Sequence, residues 1–129
     1  MMKTWILVLI ASGLLTRLVA SHAQPDSSPQ FLYKVLSVDN WQRSQTQNNL
    51  VLSKDDNEFI HLSTKDQLDR ITSKYWADVP EFVILKVATN RLTGRLVLEA
   101  NPGGSSKYYH LYDGSIPLQS VVESKIVKQ

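Results

Sequence analysis

The chain has 129 residues, with 14 Lys and Arg against 12 Asp and Glu, three histidines and no cysteine. Without cysteine there are no disulfides, thiol nucleophiles or thiolate metal sites. Lys3 and Arg17 fall within the first 23 positions, so the rest of the chain is charge-balanced and gives no electrostatic reason to expect a nucleic acid backbone or an anionic membrane as partner.

Residues 1–23 have the tripartite pattern of a secretory leader: Lys3, an apolar stretch over 5–15, and Ser21 and Ala23 placed for cleavage before Gln24. Broken by Ser12, Gly13, Thr16 and Arg17, the stretch falls short of the roughly 20 apolar residues of a membrane span. The expectation is therefore an exported protein, periplasmic or extracellular, free of the membrane once cut; an uncleaved anchor is the alternative. Residues 24–30, with Pro25 and Pro29, read as a polar lead-in, and 31–129 as one domain held by its core alone.

Residues 31–36 read as a first strand, after which Ser37 caps a short helix carrying Val38 and Trp41 on one side. That helix fades over 44–49, and 50–57 is a loop with a turn cluster at Lys54, Asp55, Asp56 and Asn57. A second strand covers 58–62. Thr64 and Gln67 then stand in capping-box spacing, and Leu68, Ile71 and Tyr75 form a stripe expected to pack on the sheet down to about residue 76. Asp78 and Pro80 stop it. Residues 82–88, apolar but for Lys86, suit a central strand; further strands follow at 95–100, 108–112 and 119–127, with a flexible loop at 101–106. The pattern is α+β, with Ile60, Leu62, Val83, Leu85, Val87, Leu96 and Leu111 in the core. Lys34, Arg43, Lys54 and Lys65, interspersed with acids, read as solvated.

The two histidines beyond the leader mark the candidate site, because each stands mid-strand, in Phe59-Ile60-His61-Leu62-Ser63 and in Tyr108-Tyr109-His110-Leu111-Tyr112. Side chains alternate between strand faces, so each imidazole shares its face with polar or aromatic neighbours and opposes an apolar pair. His61 and Ser63 also precede a helix start, where free amides favour an anionic group; simple capping explains the same residues. His61, His110 and Glu99 would supply three zinc ligands only if they converged, and no HExxH-like pair supports it. Ser63 lacks the glycine-flanked elbow of a serine hydrolase. Tyr108, Tyr109 and Tyr112 would stack bases, but surplus positive charge is missing.

The order Tyr33-Lys34-Val35, Trp41, Phe59 to Thr64, Gln67-Leu68, Glu99 and His110-Leu111-Tyr112 resembles the DUF952 family over most of 31–127. The chain departs from the family pattern at Glu58, Leu98 and Tyr109, and in a longer turn at Asp113-Gly114-Ser115-Ile116. The resemblance implies split antiparallel sheets with two packed helices, similar to the ADP-ribosyltransferase fold, and a cleft able to hold NAD or another nucleotide-like molecule. It carries the polar set onto His61, Ser63 and Tyr112 as ligand-binding residues and onto Glu99 and His110 as catalytic ones. Glu99 would offset positive charge developing at a ribose carbon, or else pair with Arg95 or Lys107. The alternatives are a non-catalytic module binding a small ligand or a protein, and a sheet whose histidines are merely satisfied.

Overall fold

A strand that is apolar on both faces must be covered on both sides, and the segment Phe82 to Ala88 takes the centre of a sheet for that reason. The computed structural model describes residues 28–129; the expected leader, and the lead-in as far as residue 27, lie outside the described residues. β1 (Phe31–Ser37), β3 (Glu81–Ala88) and β6 (Val121–Lys128) form one antiparallel sheet in the order β1-β3-β6. β2 (Ile60–Leu62), β4 (Arg95–Ala100) and β5 (Lys107–Tyr112) form a second in the order β2-β5-β4. With two α-helices, α1 (Val38–Ser44) and α2 (Leu68–Tyr75), the domain is α+β, as the sequence pattern implied.

The sheets meet at one point. Tyr33 N donates to Ser63 O at 2.8 Å and Ser63 N to Tyr33 O at 2.9 Å, bridging β1 to the residue just past β2. Beyond that bridge, the core draws on both sheets. Leu32 and Leu36 of β1 lie opposite Val87 and Val83 of β3, and Ile60, Leu62, Leu96 and Leu111 contribute from the second sheet. All seven expected core residues are buried.

Leu50, Leu92 and Ile116, which stand in loops and turns, are buried as well. Ile116 reaches the core through the longer turn: Asp113 takes a left-handed φ of 53°, and a Cβ on Gly114 would lie 1.8 Å from Thr93 O. The turn therefore needs glycine to fold back on the start of β4. It does not reach the cavity described below.

α1 begins as expected, with Asn40 N donating to Ser37 Oγ at 3.0 Å, and packs Val38 and Trp41 against the core. α2 departs from expectation. The capping box is present, with Thr64 N donating to Gln67 Oε1 at 3.0 Å, but it opens a 3-10 turn, Lys65–Gln67, before the α-helix. No residue of α2 is buried and Tyr75 is 58 % exposed. The strands already fill the core, so the Leu68, Ile71 and Tyr75 stripe has no apolar layer to enter. Ile71 and Tyr75 instead face a hollow.

Candidate functional site

Antiparallel register sets His61 of β2 directly opposite His110 of β5, so the two imidazoles share one face of the second sheet. Their ring centroids are 5.5 Å apart with planes at 72°. They stand side by side, in different surroundings.

His110 is fully buried. Phe59 stacks on it, centroids 3.9 Å apart and planes 21° from parallel. Its Nδ1 lies 2.7 Å from Glu99 Oε2 and its Nε2 lies 2.7 Å from Asn101 Oδ1. The Tyr112 hydroxyl donates to the same Glu99 oxygen. With oxygens at both nitrogens, the ring is either doubly protonated, donating twice, or the Asn101 amide is turned to donate to Nε2. Hydrogen bonds from Tyr112 and then His110 hold the Glu99 carboxyl below the usual glutamate range, and the same bond raises the Tyr112 phenol. Arg95 reaches Asp113 rather than Glu99.

His61 is half-exposed, its side chain 42 % accessible. Its Nδ1 and its backbone N each lie 3.0 Å from Asp56 Oδ1. The Lys34 ammonium donates to that same oxygen and to the His61 carbonyl, both at 2.9 Å. Lys34 was read as solvated; it is 6 % exposed. Alternation puts it on the face of β1 that carries Leu32 and Leu36, and a charge placed there must be paired. Burial is the main influence on its ammonium and lowers it against the pull of Asp56. Burial pushes the Asp56 carboxyl upward, but the His61 hydrogen bonds and the Lys34 charge outweigh it and hold the group below the usual range.

A cavity of about 720 Å³ opens beside β1 and β2. Its polar lining includes Lys34, Asp56, His61, Ser63 and Asn101; Tyr33, Ile71, Tyr75, Trp76 and Tyr108 supply most of the aromatic and apolar wall. Ser63 is largely buried, and its hydroxyl has no hydrogen-bond partner among the described residues. Of the five residues singled out in the sequence, His61 and Ser63 thus line the cavity. Glu99, His110 and Tyr112 do not; they form a separate cluster that touches the cavity lining through Asn101 and the ring of His61. Because both nitrogens of His110 are committed, the three candidate zinc donors His61, His110 and Glu99 do not converge as metal ligands, and no such group occurs among the described residues.

Sequence reasoning missed Lys34, Asp56 and Asn101. A lysine at the third position of a Leu-x-Lys-x-Leu alternation was the available signal for the first. Nothing local distinguished Asp56 from Asp55, or Asn101 from any loop asparagine.

Among solved structures, the chain is similar to protein CC0527 from Caulobacter crescentus. The crystal structure of that protein is 28 % identical, covers 74 % of this chain and 84 % of its own, and superposes with a TM-score of 0.65. Its solution NMR structure, at the same identity, covers 75 % of this chain and 84 % of its own and gives 0.64. No curated protein matches the chain. Residues 35–124, which include both histidine strands, match the family described as "Protein of unknown function (DUF952)", and the chain belongs to that family.

Proposed function

We propose that this domain binds a small nucleotide-like molecule, without turning it over, in the cavity between its two sheets. The observation that carries the reading is the cavity wall itself: a half-exposed, anchored imidazole at His61 and an unpartnered hydroxyl at Ser63, facing the rings of Tyr33, Tyr75, Trp76 and Tyr108. Small-molecule sites combine a concave, mostly apolar enclosure of roughly 300–1,000 Å³ with a few convergent polar groups, and flat aromatic walls suit a planar base. Two antiparallel sheets joined by one bridge support the ADP-ribosyltransferase-like frame that the family resemblance implies, which makes NAD and ADP-ribose the first compounds to try.

Binding is favoured over catalysis because Glu99, the carboxylate assigned to a developing ribose cation, is held by Tyr112 and His110 away from the cavity lining. NMR titration of the labelled protein with NAD, ADP-ribose and nicotinamide should move the amides of Tyr33, Ser63, Tyr75 and Asn101, and Ser63→Ala should weaken the response. Silence with all three compounds would remove the nucleotide reading. Release of free nicotinamide from NAD would replace binding with turnover.

Export belongs to the same proposal, and the leader pattern of residues 1–23 supports it. Expressed with its full N-terminus in a secreting host, the protein should be recovered outside the cytoplasm beginning at Gln24. A cytoplasmic product retaining Met1 would end that part of the reading.

A further inference from the structure

Asp56 ends a 3-10 turn, Lys54–Asp56, and one of its oxygens collects three hydrogens: from Lys34 Nζ, from His61 N and from His61 Nδ1. A carboxylate only accepts, so the ring nitrogen facing it must carry a proton. In the neutral ring the other nitrogen, Nε2, is then bare. Nε2 has no hydrogen-bond partner among the described residues, and His61, its side chain 42 % accessible, lines the cavity. Because one oxygen holds both the backbone and the ring of His61, the imidazole is fixed in direction as well as in proton placement. The Lys34 ammonium balances the Asp56 charge, so a neutral ring leaves the trio uncharged.

Resting on the cavity reading above, we propose that Asp56 and Lys34 are positioning residues that present His61 Nε2 to the cavity as a hydrogen-bond acceptor, and that the ligand atom meeting it is a hydroxyl or N–H donor. A phosphate oxygen opposite Nε2 would set acceptor against acceptor. Phosphate recognition, where it occurs, then falls to other parts of the wall. Ser63 Oγ, two residues along the same strand face, serves either role.

The proton placement is readable in the free protein, by imidazole nitrogen–proton correlation NMR at mildly alkaline pH. His61 should carry its proton on Nδ1. Replacing the buried pair with apolar groups of similar size, Lys34→Met with Asp56→Leu, keeps the interior filled; His61 should then move to the Nε2-protonated form while the His110 signals stay in place. Adenosine, which has hydroxyl and amino donors and no phosphate, should shift wild-type Nε2 and bind about tenfold more weakly to the double variant. Inorganic phosphate should leave Nε2 unmoved.

A proton on Nε2 in the wild-type protein overturns the proposal, and so does an unchanged tautomer in the double variant. Inorganic phosphate moving Nε2 as far as adenosine does would overturn the donor preference. The expected tautomers with no response to adenosine would support the positioning roles and remove the nucleotide reading of the cavity instead.

Discussion

Asp56→Ala should destabilise the domain by about 3 to 5 kcal/mol, the usual consequence of removing one member of a buried ion pair, and lower its thermal midpoint by more than about 10 °C. The cost has two sources. Lys34, almost wholly enclosed, loses the carboxylate it is paired with, and the backbone N–H of His61 loses the acceptor that satisfies it. Replacing both partners, Lys34→Met with Asp56→Leu, should recover the part of the loss that comes from the unpaired charge, because an apolar pair of similar volume removes the desolvation penalty along with the attraction, while the His61 N–H stays without its acceptor. Chemical denaturation of the three proteins at neutral pH separates these cases; a single variant as stable as wild type would mean that the pair is not enclosed.

The same pair sets a pH dependence whose sign follows from the shifts. Asp56 is held below its ordinary value, so the folded state binds fewer protons than the unfolded state in the acid range. Its contribution is complete above the ordinary carboxylate value, about pH 4, and is lost as pH falls through the lower folded value. Lys34, also held low, costs stability at neutral pH, and that cost fades as pH rises toward the ordinary lysine value. Wild-type stability should therefore fall more steeply on acidification than that of the double variant.

What the sequence revealed about the fold, and what it concealed, divides along the range of the interactions involved. Strands announce themselves by short apolar, branched and aromatic runs, so 31–36, 82–88, 95–100 and 108–112 were legible, as were the Ser37 cap and the Thr64–Gln67 box, both of which act within three residues. The burial of Leu50, Leu92 and Ile116 was not, since single apolar residues in turns reach a core only when the tertiary path brings them there. α2 shows the converse: a correct amphipathic period says that one face is apolar, not that an apolar layer is waiting for it. At the site, His61 and His110 were found by rarity and strand position, whereas their roles depend on partners 5, 9 and 11 residues away, at Asp56, Asn101 and Glu99. Alternation placed both imidazoles on a common face in principle; only the register of β2 on β5 made them neighbours.

Leu85→Ala should cost about 2 to 5 kcal/mol, through the lost burial of the side chain and the cavity left behind. Leu85 is fully buried at the middle of the central strand, so the backbone on either side is pinned by β1 and β6 and has little freedom to close the gap. Leu85→Met, which nearly conserves volume, should cost less than about 1.5 kcal/mol. The register adds a consequence beyond stability: Leu85 stands directly opposite Lys34, so both side chains lie on the same face of the sheet. A void at Leu85 therefore opens next to the stem that carries the Lys34 ammonium to Asp56. Combined with Asp56→Ala, the leucine truncation should depart from additivity by about 0.5 to 3 kcal/mol, as neighbouring residues do. The two losses should overlap, because a Lys34 already unpaired has less to lose when its packing loosens. Strict additivity in denaturation midpoints would separate the core from the site, and an unchanged midpoint for Leu85→Ala alone would displace Glu81–Ala88 from the centre of its sheet.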